Sequence, residues 1–186
     1  MTVFMTSDFH FSHARIIEYC ARPFVNVDEM NETIIANHNS VVKDADDVWN
    51  IGDFSLSEKV VPIFLPRLKG NQHLIFGNHD RKAYGIKDKY IEAQKRYIEY
   101  GFKSVHMQHE LEGFILNHLP FAGDGDKRKK LEQFRPKDDG NRFLIHGHSH
   151  GKLGRIHGRQ IDVGVDCNKF MPVALEELID IRAAHR

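Results

Sequence analysis

The chain has 186 residues, of which 41% are hydrophobic and 28% charged, values typical of a soluble globular protein that folds as one domain over 1–186. Its 26 basic and 26 acidic residues balance, so no overall charge draws the protein to nucleic acid or to an anionic membrane. Two distant cysteines argue against a disulfide framework or a thiolate zinc site, and the lack of a signal-peptide pattern or a membrane-length apolar run predicts a cytoplasmic protein.

The first half of the sequence alternates between predicted strands and helices. A short buried strand over 2–6 precedes a helix over 28–42, whose apolar residues share one face and whose predicted N-cap is Asp28. Apolar runs in 47–53 and 73–80 predict further strands, and a short helix over 57–68 between them is limited by its prolines. A longer helix is predicted over 81–100.

The second half is richer in strands. Residues 102–118 predict two strands joined by a tight connection, and a long polar stretch over 121–141 contains the basic run 127–130. A strand ending in a histidine-rich turn, a hairpin over 154–166 and a closing helix over 174–184 complete the chain. This order of elements predicts an α/β domain whose sheets are covered by helices.

Polar clusters follow the predicted strands, where functional groups of α/β sheets gather. The chain has 13 histidines, about three times the usual share, and several of them stand in these clusters. The clustered residues are Asp8, His10, Asp53, Asn78, His79, Asp80, His118, His148 and His150.

Two aspartates, one asparagine and four histidines of this set predict a metal site without thiolate. Carboxylate, amide and imidazole donors suit Mn²⁺, Fe²⁺, Zn²⁺ or Co²⁺. Seven ligands are too many for one tetrahedral ion, but they fit two adjacent ions that share a bridging carboxylate. Each cluster alone is more often an ordinary turn, so the prediction depends on all of them occurring in one chain.

The spacing of these clusters resembles the calcineurin-like metallophosphoesterases of the small, stand-alone bacterial and phage type. Their pattern is D-x-H … G-D … G-N-H-[D/E] … H … G-H-x-H, and this chain has every element between residues 8 and 150. The resemblance implies a four-layer α/β/β/α sandwich of two mixed β-sheets flanked by helices. It also implies two divalent metal ions, with manganese favoured and iron, zinc, nickel or cobalt as alternatives.

The resemblance further implies a role for each residue of the pattern. Asp53 would bridge the two ions. His79 would face the substrate and donate a proton to the leaving group, and Asp80 would orient it. The remaining ligands of the first ion would be Asp8, His10 and His150, and those of the second would be Asn78, His118 and His148.

The predicted reaction is hydrolysis of a phosphoester. Two cations lower the pKa of a shared water, so that a bridging hydroxide attacks phosphorus. A histidine that protonates an alkoxide leaving group favours phosphodiesters of the nucleotide or nucleic-acid type. A broad-specificity phosphomonoesterase is the main alternative, and a non-catalytic scaffold is a lesser one because no ligand is missing.

Other hydrolase families fit the sequence less well. Leu56 stands where purple acid phosphatases have a ligand tyrosine, and the segment after Asp53 lacks the Asp-Arg-Gly element of protein Ser/Thr phosphatases. Metallo-β-lactamase-type enzymes need the pattern H-x-H-x-D-H, and no Asp-His pair follows the alternate histidines of the segment HGHSHGKL.

Further residues are candidates for substrate contact. His13 and Arg15 follow the first cluster and could line the site, and Arg15 and Arg22 are the candidate phosphate contacts. The basic run 127–130 could contact a nucleic-acid backbone, although such a run is more often a solvated loop. His146 could support a metal ligand or be an ordinary strand histidine. No obligatory protein partner is predicted.

Overall fold

The computed structural model describes residues 1–80, 87–123 and 129–185. The predicted start of the longer helix, over 81–86, and the first two residues of the basic run lie outside the described residues. Within the described ranges, the chain forms two five-stranded sheets with helices packed around them. No helix in these ranges has the length and apolar character that a membrane crossing requires.

The first sheet is parallel except for one edge strand. The strands, in sheet order, are β10 (Val173–Ala174), β1 (Val3–Thr6), β2 (Asp47–Asn50), β3 (Asn71–Ile75) and β4 (Ser104–His106). β1 pairs in parallel with β2, β2 with β3 and β3 with β4, whereas β10 runs antiparallel to β1.

The second sheet has three parallel central strands between two antiparallel edges. All of its strands come from the second half of the chain, which the sequence predicts to be rich in strands. Its strands, in sheet order, are β5 (Gln108–Leu111), β6 (Phe114–Asn117), β7 (Phe143–His146), β9 (Gln160–Asp162) and β8 (Ile156–His157).

The prediction of two strands over 102–118 is wrong, because this segment contains three. β4 pairs with β3 in the first sheet, and the chain then crosses to the second sheet as the β5–β6 hairpin. The hairpin turns at Glu112 and Gly113, both with positive φ. Since neighbouring strands here belong to different sheets, the apolar pattern alone could not show where one ended.

The helices predicted over 28–42 and 174–184 begin and end within one residue of those positions. The predicted N-cap of the 28–42 helix is wrong, because the Asn26 side chain accepts the backbone N–H of Glu29 at 2.9 Å and starts the helix one residue earlier. The proline-containing segment 58–67 splits into two 3-10 turns around one short α-helix. The α-helices are α1 (Arg15–Tyr19), α2 (Val27–Val41), α3 (Val61–Phe64), α4 (Lys87–Glu99), α5 (Lys129–Glu132) and α6 (Leu175–Ala184).

Two apolar clusters hold the layers together. One lies between the sheets and joins residues such as Met5 and Ile75 of the first sheet to Leu116 and Ile145 of the second. The other packs the outer face of the first sheet against α2 and α4. The predicted sandwich of two mixed sheets flanked by helices is thereby confirmed.

Candidate metal centre

The loops that follow the parallel strands of both sheets meet at one edge of the sandwich. Ser7, just after β1, forms a parallel bridge with Gly164, just after β9, so the two sheets are joined at this edge. The backbone N–H of Asp8 donates to the Gly52 carbonyl at 2.9 Å. Side chains from loops far apart in sequence are therefore brought within contact distance.

Asp53 lies at the centre of this edge and is fully buried. Its Oδ2 is 3.5 Å from Nε2 of His10 on one side and 3.4 Å from Nε2 of His118 on the other. Its Oδ1 accepts the backbone N–H of His79 at 2.8 Å. One carboxylate is thus held between two imidazoles of different loops.

The first half of the centre contains Asp8, His10 and His150. Oδ1 of Asp8 is 3.9 Å from His10 Nε2 and 3.8 Å from His150 Nε2. These three residues can present one donor atom each to a common ion. His10 Nε2 is buried and has no hydrogen-bond partner within the described ranges, although it points at both carboxylates.

The second half contains His118, Asn78 and His148. Nδ1 of His118 bonds the Ile51 carbonyl at 2.8 Å, which turns Nε2 toward the Asn78 amide oxygen at 3.2 Å. The His118 and His148 rings lie 5.2 Å apart. Asp8, Asp53 and His118 form a second group able to hold an ion.

The segment after β7 turns at both of its candidate ligands. His148 and His150 both have positive φ, at 66° and 48°, so the segment turns instead of running straight. The backbone N–H of His148 also donates to both oxygens of Asp8. As a result the two imidazoles enter different halves of the centre, whereas an extended segment would have pointed them the same way.

The buried carboxylates and imidazoles at the centre shift one another's pKa values. Burial would raise the pKa of Asp53, but His118 and His10 hold it well below its usual range. Burial alone would lower the pKa of His118, yet the Asp53 and Asp8 carboxylates raise it to about 9. Burial raises the pKa of Asp8 to about 6. The two carboxylates therefore create a strong local preference for positive charge.

Asp80 binds backbone N–H groups of two loops. Its Oδ2 accepts the backbone N–H groups of Asp53 and Gly77, both at 2.8 Å, and its Oδ1 accepts that of Phe54 at 3.0 Å. Burial and the charge of Asp53 raise its pKa to about 7. Asp80 therefore fixes the loop that carries Asp53, and its predicted orientation of His79 stays a prediction.

His79 and His13 line the outer side of the first half. Both are half-buried, and the rings lie 5.4 Å and 5.3 Å respectively from the His10 ring. Arg15 is exposed on α1. The predicted substrate contacts of His13 and Arg15 stay predictions.

Arg22 does not face solvent, contrary to the predicted phosphate contact. Its side chain is fully buried, and its guanidinium donates to the carbonyls of Asp8 and Phe9 and to both oxygens of Asp166. Because these acceptors occupy the guanidinium, Arg22 supports the first loop from beneath.

Three residues near the centre were missed from the sequence. Asp166 accepts a hydrogen bond from Nδ1 of His150 at 2.8 Å, and Asp162 contacts the Ser149 hydroxyl and the Gly164 N–H. Tyr19 on α1 is 64% exposed, and its ring lies edge-on to His13 at 6.2 Å. Asp166 ends the predicted hairpin and Asp162 is the last residue of β9, so their position at the end of apolar runs was the available signal.

The donor set fits divalent cations. It offers carboxylate, amide and imidazole atoms without thiolate in either half, a combination suited to Mn²⁺, Fe²⁺ or Zn²⁺. The buried, unpaired Nε2 of His10 is an atom that coordination would satisfy.

Comparison with protein families agrees with this geometry. The model of the calcineurin-like phosphoesterase superfamily domain matches residues 1–163. The chain belongs to this superfamily. Membership implies metal-dependent hydrolysis of phosphoesters, and residues 1–163 include every side chain of the two halves described above.

Relatives of this phosphoesterase occur in archaea and phages. An uncharacterized protein of Methanocaldococcus jannaschii is 34% identical, over 96% of this chain and 90% of its own length. The gene 66 protein of Mycobacterium phage L5 is 32% identical, over 95% and 91% of the two chains. The crystal structure of a protein of unknown function from Aquifex aeolicus has the same fold, with a TM-score of 0.69 at 24% identity, covering 97% of this chain and 98% of that one.

Proposed function

We propose that this phosphoesterase holds two metal ions and hydrolyses phosphodiesters of the nucleotide type. The observation that carries the proposal is the position of Asp53, whose Oδ2 lies between His10 and His118 at 3.5 and 3.4 Å. A carboxylate flanked by imidazoles from two loops is suited to bridge a pair of ions.

The ligand roles follow from the two halves of the centre. Asp53 would be shared, and each half adds three side chains. The first ion would be held by Asp8, His10 and His150, and the second by Asn78, His118 and His148. Two such ions, when bound, supply Lewis acidity and a water of lowered pKa, with Mn²⁺ the first metal to test.

His79 is the proposed proton donor to the leaving group. Its backbone N–H is fixed by Asp53, and its half-buried ring lies beside His10 at the solvent side. A histidine suits this task because its ordinary pKa lies near neutral pH. An alkoxide leaves poorly unless it is protonated, so this donor is most useful for diesters with poor leaving groups.

Two residues of α1 favour a substrate that contains an aromatic base. Tyr19 exposes most of its ring one helical turn from Arg15, and residues four apart lie on the same helix face. Exposed aromatic rings stack on nucleobases, and arginine binds phosphate. This pair, next to His13, favours a nucleotide or oligonucleotide over a simple alkyl phosphate.

The proposal is tested by metal content and a substrate panel together. Asp53→Asn is expected to lower bound Mn²⁺ from two ions per chain and to abolish hydrolysis of bis-nitrophenyl phosphate, cyclic nucleotides and labelled oligonucleotides. Asp138→Asn, a surface carboxylate paired with Arg159, is the matched control and should keep both. Unchanged metal content in Asp53→Asn would refute the bridging role.

The proton-donor role has its own test. His79→Ala should reduce hydrolysis of alkyl-leaving diesters by about 100-fold or more and that of nitrophenyl esters much less, because nitrophenolate leaves without protonation. His157→Ala, an exposed histidine on β8, is the control. Equal losses on both ester classes would exclude His79 as the donor, and faster monoester than diester cleavage throughout would favour a phosphomonoesterase.

A further inference from the structure

A buried ion pair lies directly behind the first half of the metal centre. Arg22 and Asp166 are joined by two hydrogen bonds, from Nε at 2.8 Å and from Nη2 at 2.9 Å. The Arg22 side chain is 0% exposed and that of Asp166 only 8%. Removing either partner would leave a buried charge unpaired, so the pair stays formed while the protein is folded.

Asp166 also controls one side of the His150 ring. Its Oδ2 accepts Nδ1–H of His150 at 2.8 Å, and the opposite nitrogen, Nε2, faces Oδ1 of Asp8 at 3.8 Å. A carboxylate on one nitrogen of an imidazole keeps the proton there and leaves the other nitrogen free to bind a metal.

Arg22 fixes the opposite wall of the same half. Its Nη2 donates to the Asp8 carbonyl at 2.7 Å and its Nη1 to the Phe9 carbonyl at 3.1 Å. Those two carbonyls belong to the loop that presents Asp8 and His10. The ion pair therefore connects the loop after β1 with the histidine after β7, across the junction of the two sheets.

We infer that Arg22 and Asp166 are positioning residues that hold Asp8, His10 and His150 in register for one metal ion. The inference rests on the proposed two-metal function. Asp166 lies beyond residues 1–163, where the superfamily model matches, and no residue of the sequence pattern corresponds to it. In the second half, His118 is oriented instead by the Ile51 carbonyl.

The test is a calorimetric titration of metal-free protein with Mn²⁺. Wild type should bind two ions. In Asp166→Ala, one binding step should weaken about 10- to 100-fold, the size of effect typical for residues that orient a ligand, while the other changes by less than about twofold. Asp166→Asn keeps an acceptor for His150 Nδ1–H and should recover most of the lost affinity. Asp138→Ala, the surface control, should titrate like wild type.

The outcomes separate this inference from the proposed function. Wild type that binds fewer than two ions would overturn both. Two ions in wild type, with both steps unchanged or equally weakened in Asp166→Ala, would overturn the positioning role alone. If the single variant does not fold because Arg22 is left unpaired, Arg22→Met combined with Asp166→Ala removes that charge, and the same selective loss is expected.

A second measurement distinguishes positioning from direct ligation. Cys20, His150 and Asp166 also lie close enough to offer atoms to one ion. If Asp166 only positions His150, the Co²⁺ form should show no thiolate charge-transfer band, and Cys20→Ser should leave its spectrum unchanged. A band that disappears in Cys20→Ser would make this group a metal site and overturn the inference.

Discussion

Gly77 is a residue at which one added carbon would disturb the geometry of the centre. A Cβ at this position would lie 2.2 Å from Oδ1 of Asp53 and 2.3 Å from its backbone nitrogen. An ordinary contact begins at 3.4 Å, so in Gly77→Ala the two loops must separate by about 1 Å, in a region packed too tightly to absorb it.

The expected cost has two parts. Overpacking of this kind typically destabilises a protein by about 1–3 kcal/mol, which lowers the Tm of a chain this size by roughly 2–4 °C per kcal/mol. A misplacement of about 1 Å at a catalytic carboxylate costs on the order of 100-fold in rate. We therefore expect activity to fall far more than stability, together with weaker Mn²⁺ binding.

The assays are thermal unfolding, Mn²⁺ titration and diester hydrolysis on the same preparation. Gly140→Ala is the control because a Cβ there meets nothing within 4 Å, although its φ of 78° makes alanine strained. It should lose about 1 kcal/mol and keep its metal. Wild-type activity and metal affinity in Gly77→Ala would refute the argument that contact with Gly77 sets the position of Asp53.

Three further predictions concern residues around and away from the centre. Asp80→Asn should lower the free energy of unfolding, measured in urea, by about 2 kcal/mol, because an amide cannot accept all three backbone N–H groups that the carboxylate binds. Unchanged stability, together with an altered dependence of the rate on the leaving group, would instead support the predicted orientation of His79 by Asp80. Glu32→Ala should change stability by less than about 1 kcal/mol in the same assay, since its pair with Arg67 is exposed, and a larger loss would contradict this view of the surface. His73→Gln should flatten the fall of stability on acidification from pH 7 to 5. Burial is the main cause that lowers the pKa of His73; His109 and Lys103 lower it further, and Asp47 opposes the shift. The unfolded chain therefore binds more protons than the folded chain below about pH 6.5, and wild type loses stability as the pH falls. Urea unfolding at each pH measures this, and identical slopes in the two proteins would contradict it.

The His73 imidazole belongs to a stack of aromatic rings. Trp49 lies between His73 and His109, with ring centroids 4.7 and 4.5 Å away, and His106 packs beside them. These rings come from β2, β3 and β4 of the first sheet and from β5 of the second, so they pack the two sheets together. Histidines that are far apart in sequence gave no periodic signal of this arrangement.

Local patterns were sufficient to place most elements and to group the candidate ligands. Apolar runs ending in Gly-Asp or Gly-His mark strand ends, and parallel strands bring their carboxyl ends to one edge. Hence Asp8, Asp53 and His118 could be grouped before any contact was known. The N-cap at Asn26 and the third strand in 102–118 were missed, because each depends on a side-chain bond or a sheet pairing and not on periodicity.

The sequence by itself determined the superfamily, the sandwich and the donor atoms of the candidate centre, since these depend on residue types at fixed places after strands. Only the tertiary structure decided how neighbouring residues divide the work. In the folded chain, His148 and His150 point into opposite halves of the centre, Asp80 accepts backbone N–H groups, and Arg22 is buried against Asp166. These assignments depend on hydrogen bonds between loops of two different sheets, and such bonds exist only after the sheets have packed together.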